Sequence, residues 1–67
     1  MKDLMSIKSG EIVTGKHINE WCKKYMYNQN ASTIYRKEAK RLFNRYFEED
    51  AQYCTTHTPE LNFQRIK

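Results

Sequence analysis

One amphipathic segment, residues 31–47, constrains the fold of this 67-residue chain more than any other feature. At about 100° of rotation per residue, a helix over this segment places its large apolar side chains on one face. These side chains belong to Tyr35, Ala39, Leu42, Phe43, Tyr46 and Phe47. The same spacing continues weakly to Cys54. We therefore predict one long helix over residues 31–54 that buries its apolar face against a second element.

The opposite face of this predicted helix is basic. Five of the twelve Lys and Arg residues fall within ten consecutive positions, namely Arg36, Lys37, Lys40, Arg41 and Arg45. One acidic residue, Glu38, lies among them. Contact with nucleic-acid phosphates would explain so one-sided a charge. A solvated helix face is the alternative, because Lys and Arg are good helix formers.

An earlier segment predicts another amphipathic helix. Its apolar residues, spaced i, i+3, i+4 and i+7 as on one stripe of a helix, are Ile18, Trp21, Cys22 and Tyr25. Thr14 stands before this stripe, where its hydroxyl can accept a hydrogen bond from an unpaired N–H of the first turn. These features predict a helix over residues 14–27.

The two ends of the chain carry weaker signals. The pair Ser9 and Gly10 predicts a turn, so residues 1–13 form either a tight hairpin or an irregular arm. In the hairpin, Ile7 would lie opposite Ile12.

Residues 55–67 are predicted to form an extended tail, because Thr residues and Pro59 disfavour a helix. Within this tail, residues 61–63 alternate as in a short strand. We expect Leu61, Phe63 and Ile66 to cover the open side of the core.

Together these segments predict a mostly α fold, a small compact two-helix domain over residues 1–67. It carries a short N-terminal arm or β-hairpin and an extended C-terminal tail. The expected core consists of Ile7, Ile12, Ile18, Trp21, Cys22, Tyr25, Tyr35, Ala39, Leu42, Phe43, Tyr46, Phe47 and Leu61. A chain this short buries only about 60% of the surface that it exposes when unfolded, so two helices give a thin core. We therefore also predict a homodimer.

Composition narrows the class of protein. The formal net charge is +4 at pH 7, which favours an anionic partner such as nucleic acid or an acidic protein surface. Two glycines, one proline and an aromatic content of 13% argue against a disordered chain. The abundance of Lys, Asn, Tyr and Ile is typical of A·T-rich genomes, and the short length suggests a phage or mobile-element protein.

Other classes find little support in the sequence. No apolar run is long enough to span a bilayer or to form the centre of a signal peptide, and two cysteines are too few for a disulfide framework. We expect a cytoplasmic protein with reduced thiols and no membrane association. Neither a Gly-rich phosphate loop nor a Ser/His/Asp set is present, so we expect no enzymatic activity.

Four residues have side chains that zinc prefers, namely His17, Cys22, Cys54 and His57. On a regular helix, however, His17 and Cys22 point about 140° apart. Buried cysteines also behave as small apolar residues, which explains both thiols without a metal. We therefore predict no metal and no other cofactor.

The aromatic residues could belong either to a binding surface or to the core. Trp21, Tyr25, Tyr35, Phe43, Tyr46 and Phe47 could form a platform on which single-stranded bases stack. Their helical spacing favours a place in the core instead. Met26 and Tyr27 lie off the apolar stripe, and we expect them on the surface, where they suit a contact with another protein.

Residues 15–21 and 31–36 together resemble helix-turn-helix proteins, in which a first helix leads to a recognition helix that begins with a similar Ser, Thr, Tyr and Arg pattern. The connection between the two runs is several residues longer here than the usual turn. The same runs also resemble the helical core-binding part of tyrosine recombinases, although the catalytic part of that family has no counterpart here. The resemblance implies that Ser32, Thr33, Tyr35 and Arg36 begin a helix that faces DNA.

We therefore predict a small basic nucleic-acid-binding accessory or regulatory protein. The residues expected to bind nucleic acid are Ser32, Thr33, Arg36, Lys37, Lys40, Arg41 and Arg45. The alternative is a small phage-type protein that binds and inhibits or modulates a host protein through its helices and exposed aromatic residues. Salt dependence separates the two, because phosphate contacts weaken steeply with salt and apolar interfaces do not.

Overall fold

The computed structural model describes Leu4, residues 6–57 and residues 60–67. Along the chain it contains β1 (Ile12–Thr14), α1 (Gly15–Met26), α2 (Thr33–Phe43), β2 (Gln52–Thr56) and β3 (Asn62–Arg65). The three strands form one antiparallel sheet in the order β1-β2-β3. The predicted mostly α fold is therefore wrong, because the chain has a mixed α/β fold with two helices and a three-stranded sheet.

The helix α1 confirms the first helical prediction. It begins directly after Thr14, whose Oγ1 atom accepts a hydrogen bond from the backbone N–H of His17 at 3.2 Å. Ile18, Trp21 and Cys22 are buried along its inner face, as their spacing predicts. Within the described residues, neither helix is long and apolar enough to cross a membrane.

The second helix is much shorter than predicted. α2 ends at Phe43, and the backbone N–H of Asn44 donates to the carbonyls of Leu42 and Lys40 in the last turn. Three acidic residues follow at 48–50, where the negative end of a helix dipole would disfavour them. Beyond them, residues 52–56 include two Thr residues and Tyr53, and buried positions alternate with exposed or half-buried ones, as in a strand.

The C-terminal segment is not an extended tail, because it forms β3, which pairs with β2 in an antiparallel hairpin. β3 pairs with β2 so that Phe63 lies opposite Thr55. Leu61 and Phe63 are buried as predicted, whereas Ile66 is exposed. Thr58 and Pro59, which are part of the predicted extended tail, lie outside the described residues.

The N-terminal segment contains the predicted turn but not the predicted hairpin. The N–H of Glu11 donates to the carbonyl of Lys8 at 3.2 Å, and Gly10 has a φ of 94°, which an L side chain rarely adopts. Ile12 then pairs with Cys54 and not with Ile7, because β1 joins the sheet made by the C-terminal strands. Residues 1–3 and Met5 lie outside the described residues.

The core lies between the two helices and the inner face of the sheet. Three predicted core members, Ile12, Phe43 and Tyr46, are exposed. Buried residues that the sequence did not place in or over the core include Leu4, Val13, Ala51, Tyr53 and Thr55. The ring centroid of Phe47 lies 5.2 Å from that of Tyr53 and 5.7 Å from that of Phe63, so the ring packs on the sheet.

The turn between α2 and β2 closes against the start of α1. The N–H of Gly15 donates to the carbonyl of Ala51 at 3.0 Å, and the N–H of Lys16 donates to that of Glu49 at 3.2 Å. The side-chain amide of Asn19 donates to the carbonyl of Phe47 at 2.9 Å. A Cβ atom on Gly15 would lie only 1.8 Å from the carbonyl oxygen of Glu48. Only glycine permits this approach, which joins the helices to the sheet.

Candidate nucleic-acid interface

The start of α2 positions the first two predicted site residues. Ser32 is the N-cap, and its Oγ atom accepts a hydrogen bond from the N–H of Tyr35 at 3.2 Å. This bond satisfies one of the backbone donors that the first helical turn leaves unpaired. Both Ser32 and Thr33 are exposed. The Ser32 hydroxyl stabilises the helix, and the Thr33 hydroxyl lies in the first turn of α2.

Three of the predicted cations gather along one side of α2. Arg36, Lys37 and Lys40, together with Thr33 and Met26 of α1, line a groove of about 290 Å³. We call it the basic groove. The α2 residues are spaced i, i+3, i+4 and i+7, which places their side chains on adjoining turns of one helical face.

The cations of the basic groove have no carboxylate partner in the part of the chain that the structure describes. Among the described residues, no carboxylate lies within 4.0 Å of the side-chain nitrogens of Arg36, Lys37 or Lys40. The Nε atom of Arg36 is buried and has no hydrogen-bond partner in the described part of the chain. A buried donor without an acceptor is unfavourable, and like charges on adjoining turns repel each other. An anion bound in the groove would relieve the repulsion.

The remaining two predicted cations face the sheet. Arg41 donates to the Oε2 atom of Glu38 at 2.5 Å and to the carbonyl of Leu61 at 2.6 Å. Its second terminal nitrogen lies 3.7 Å from Glu60. Arg41 therefore ties α2 to the segment that leads into β3. The sequence grouped Arg41 with Lys37 and Lys40, because it gave no sign that the segment before β3 lies against α2.

Arg45 has a similar position beyond the end of α2. It donates to the side-chain carbonyl of Asn62, and its guanidinium lies 5.6 Å from the centroid of the Phe47 ring. With Arg65 it lines a cleft of about 400 Å³ at the edge of β3. Arg65 forms an ion pair with Glu48 at 2.8 Å. Because the charge of Arg65 is already paired with Glu48, this cleft attracts an anion less strongly than the basic groove does.

Another depression lies between α1 and the segment after α2. Its volume is about 270 Å³, and Phe43 and Tyr46 are part of its lining. The Tyr46 side chain is 87% exposed, although sequence reasoning placed it in the core. The helical spacing of Phe43, Tyr46 and Phe47 gave no sign that the helix ends at Phe43, so only Phe47 was placed correctly.

The four candidate zinc ligands do not form a site in the described residues. No group of three His, Cys, Asp or Glu side chains there could hold a metal ion. Cys22 is buried in the core, and this burial raises the pKa of its thiol to about 11, against a small opposing effect of the Arg41 charge. The Nε2 atom of His57 donates to the carbonyl of Ile7 at 2.6 Å.

Known proteins give no further guide to this surface. The chain matches no family model, and no curated protein or solved structure is significantly similar to it. The basis for a functional proposal is therefore the chemistry of the basic groove and of its neighbours.

Proposed function

We propose that this protein binds nucleic acid, and duplex DNA in particular, through the basic groove on α2. The observation that carries the proposal is the presence of three cations along one side of α2 with no carboxylate beside them in the described residues. Such a face binds phosphates and releases the counterions condensed on the nucleic acid. The net charge of +4 adds long-range attraction.

Duplex DNA fits this helix better than duplex RNA does. α2 has 11 residues, so it is about 16 Å long, and its outer face is free of other elements in the described structure. The major groove of B-DNA is about 12 Å wide and admits an α-helix. The major groove of A-form RNA is deep and too narrow for side chains to read.

The residues on this face have different roles in the proposed complex. Lys37 and Lys40 are exposed and contact phosphates, which position the protein but carry no sequence information. Arg36 is half-buried beside them and adds charge close to the helix. Thr33 and Asn44 are exposed at the two ends of α2, where their side chains can reach base edges.

The test removes charge from the groove without disturbing the core. Lys37→Gln combined with Lys40→Gln keeps good helix propensity and lowers the net charge by two. Lys8→Gln combined with Lys16→Gln makes the same change on exposed residues outside α2 and is the matched control. We expect the α2 variant to bind DNA more weakly, with a slope of log affinity against log salt that is shallower by about 2 units. The control should keep most of the parent slope.

Equal slopes for both variants would mean that net charge alone attracts DNA and would refute a role for the groove. A parent protein that binds no duplex at low salt would end the nucleic-acid proposal altogether.

A second function, contact with a host protein that the chain inhibits or modulates, is favoured by one specific observation. Tyr27 and Ile34, at the two sides of the α1–α2 connection, are 74% and 66% exposed. Exposed large apolar side chains are typical centres of protein interfaces. Capture of partners from a host lysate, repeated after nuclease treatment, separates the two functions. A protein partner retained after nuclease treatment and at high salt would favour this second function.

A further inference from the structure

The depression between α1 and the segment after α2 contains aromatic rings, cations, carboxamides and one carboxylate, and we call it the aromatic cleft. Phe43 and Tyr46 contribute rings, and the Tyr46 ring is almost fully exposed. Lys23 and Arg45 contribute cations. The remaining polar side chains that line it are two carboxamides, Asn19 and Asn44, and one carboxylate, Glu49.

The aromatic cleft adjoins the basic groove. Phe43 follows Lys40 by three residues, so the two side chains lie on adjoining turns of α2. On α1, Lys23 of the cleft precedes Met26 of the groove by the same interval. The two depressions are therefore neighbours along both helices.

The side chains of the cleft match the parts of an unpaired nucleotide. An exposed ring offers a flat face on which any base can stack. The two cations outnumber the one carboxylate, which suits a phosphate. Carboxamides can donate to and accept from the edge of a base. A volume of about 270 Å³ is large enough for one base with part of its sugar.

We propose that the aromatic cleft binds one unpaired nucleotide next to the duplex held in the basic groove. This inference rests on the proposed function, because the duplex brings the nucleotide to the cleft. The preferred substrate is then a duplex with a single-stranded end or a displaced base. Tyr46 supplies the stacking face, and Lys23 and Arg45 hold the phosphate of the same nucleotide.

The experiment compares three DNA molecules that share one duplex. The first is blunt, the second carries a short single-stranded tail that contains 2-aminopurine, and the third carries a tail of abasic sites with the same number of phosphates. We expect the parent to bind the tail with bases about tenfold more tightly than the abasic tail, as stacking of one base predicts. Stacking should also quench the 2-aminopurine fluorescence.

Three variants test whether the preference for a tail with bases depends on the aromatic cleft. Tyr46→Ser should abolish both the preference and the quenching, and Tyr46→Phe should retain both, because only the ring is needed. Tyr27→Ser removes another exposed ring from the far end of α1 and should change neither. Circular dichroism checks that each variant is folded.

Equal affinity of the parent for the two tails, or a preference that survives in Tyr46→Ser, would overturn this inference. If blunt duplex binding still depends on Lys37 and Lys40, the proposed duplex-binding function remains, and only the nucleotide site in the aromatic cleft is refuted. If the parent binds none of the three DNA molecules at low salt, both proposals fail. A protein partner whose binding depends on Tyr46 would also overturn the nucleotide site and make the cleft a protein contact.

Discussion

Replacement of Gly15 by Ala tests the junction that joins the helices to the sheet. The added Cβ atom would lie 1.8 Å from the carbonyl oxygen of Glu48, whereas ordinary contacts begin at 3.4 Å. The turn would therefore have to retreat by about 1.6 Å, the difference between these distances. Such a shift breaks the hydrogen bonds from Gly15 to Ala51 and from Lys16 to Glu49, now 3.0 and 3.2 Å long.

The expected loss of stability follows from these contacts. Each backbone hydrogen bond contributes about 0.5–1.5 kcal/mol, and overpacking costs about 1–3 kcal/mol. We expect Gly15→Ala to lower the free energy of unfolding by about 2–6 kcal/mol. A protein of this size has only about 3–10 kcal/mol in total, so the variant should be largely or partly unfolded. Helix propensity alone predicts the opposite sign, a gain of up to about 1 kcal/mol.

Urea denaturation followed by the fluorescence of Trp21, a buried single tryptophan, measures this change. Gly10→Ala is the control, since its Cβ would meet no atom within 4 Å but would occupy a backbone with a φ of 94°. That strain costs about 1–2 kcal/mol. A Gly15→Ala protein as stable as the parent would refute the close approach of α1 and the turn.

Two further predictions concern Arg41 and Cys22. Arg41→Gln removes the bonds to Glu38 and Leu61 and should destabilise the fold by about 1–3 kcal/mol in urea titration, whereas Lys37→Gln should change stability by no more than about 0.5 kcal/mol. For Cys22, burial raises the thiol pKa from 9.0 to about 11, so the folded protein retains this proton to a higher pH than the unfolded chain does. The contribution of this difference to the free energy of unfolding is complete below pH 9 and is lost as the pH rises from 9 to 11. Cys22→Ala should remove this part of the decline in stability, and an unchanged decline would assign it to other groups.

The part of the fold that the sequence predicted depends on local signals. The stripe from Ile18 to Tyr25 and the cap at Thr14 act within a few residues, so α1 was predicted nearly to its ends. The start of α2 at Ser32 has the same kind of cap. The predicted homodimer is a property of the assembly and stays a prediction.

The part that failed depends on pairing between distant residues. Tyr53 and Thr55 alternate as in a strand, but β2 is the central strand, and one of its two partners, β1, lies some 40 residues earlier in the chain. Three apolar residues with helical spacing, Phe43, Tyr46 and Phe47, therefore outweighed the strand signal.

The candidate site was affected by the same error. Lys37, Lys40 and Arg41 share one half of a helical wheel, and only the position of the segment before β3 distinguishes them. Where this segment lies against α2, Arg41 binds the backbone of Leu61, and Lys37 and Lys40 remain in the basic groove. The sequence therefore shows which cations lie on a helix, but it does not show which of them are bound by residues of the sheet and its connections.

The sheet order has a consequence for how the chain folds during synthesis. The central strand is β2, so β1 cannot pair until residues 52–56 have been made, and both helices lie in the loop that this pairing closes. Contacts between such distant residues slow folding. While the C-terminal strands are still inside the ribosome, the apolar faces of α1 and α2 have no sheet to cover them. Premature termination before β2 should therefore yield an aggregation-prone fragment and not a smaller working helix pair.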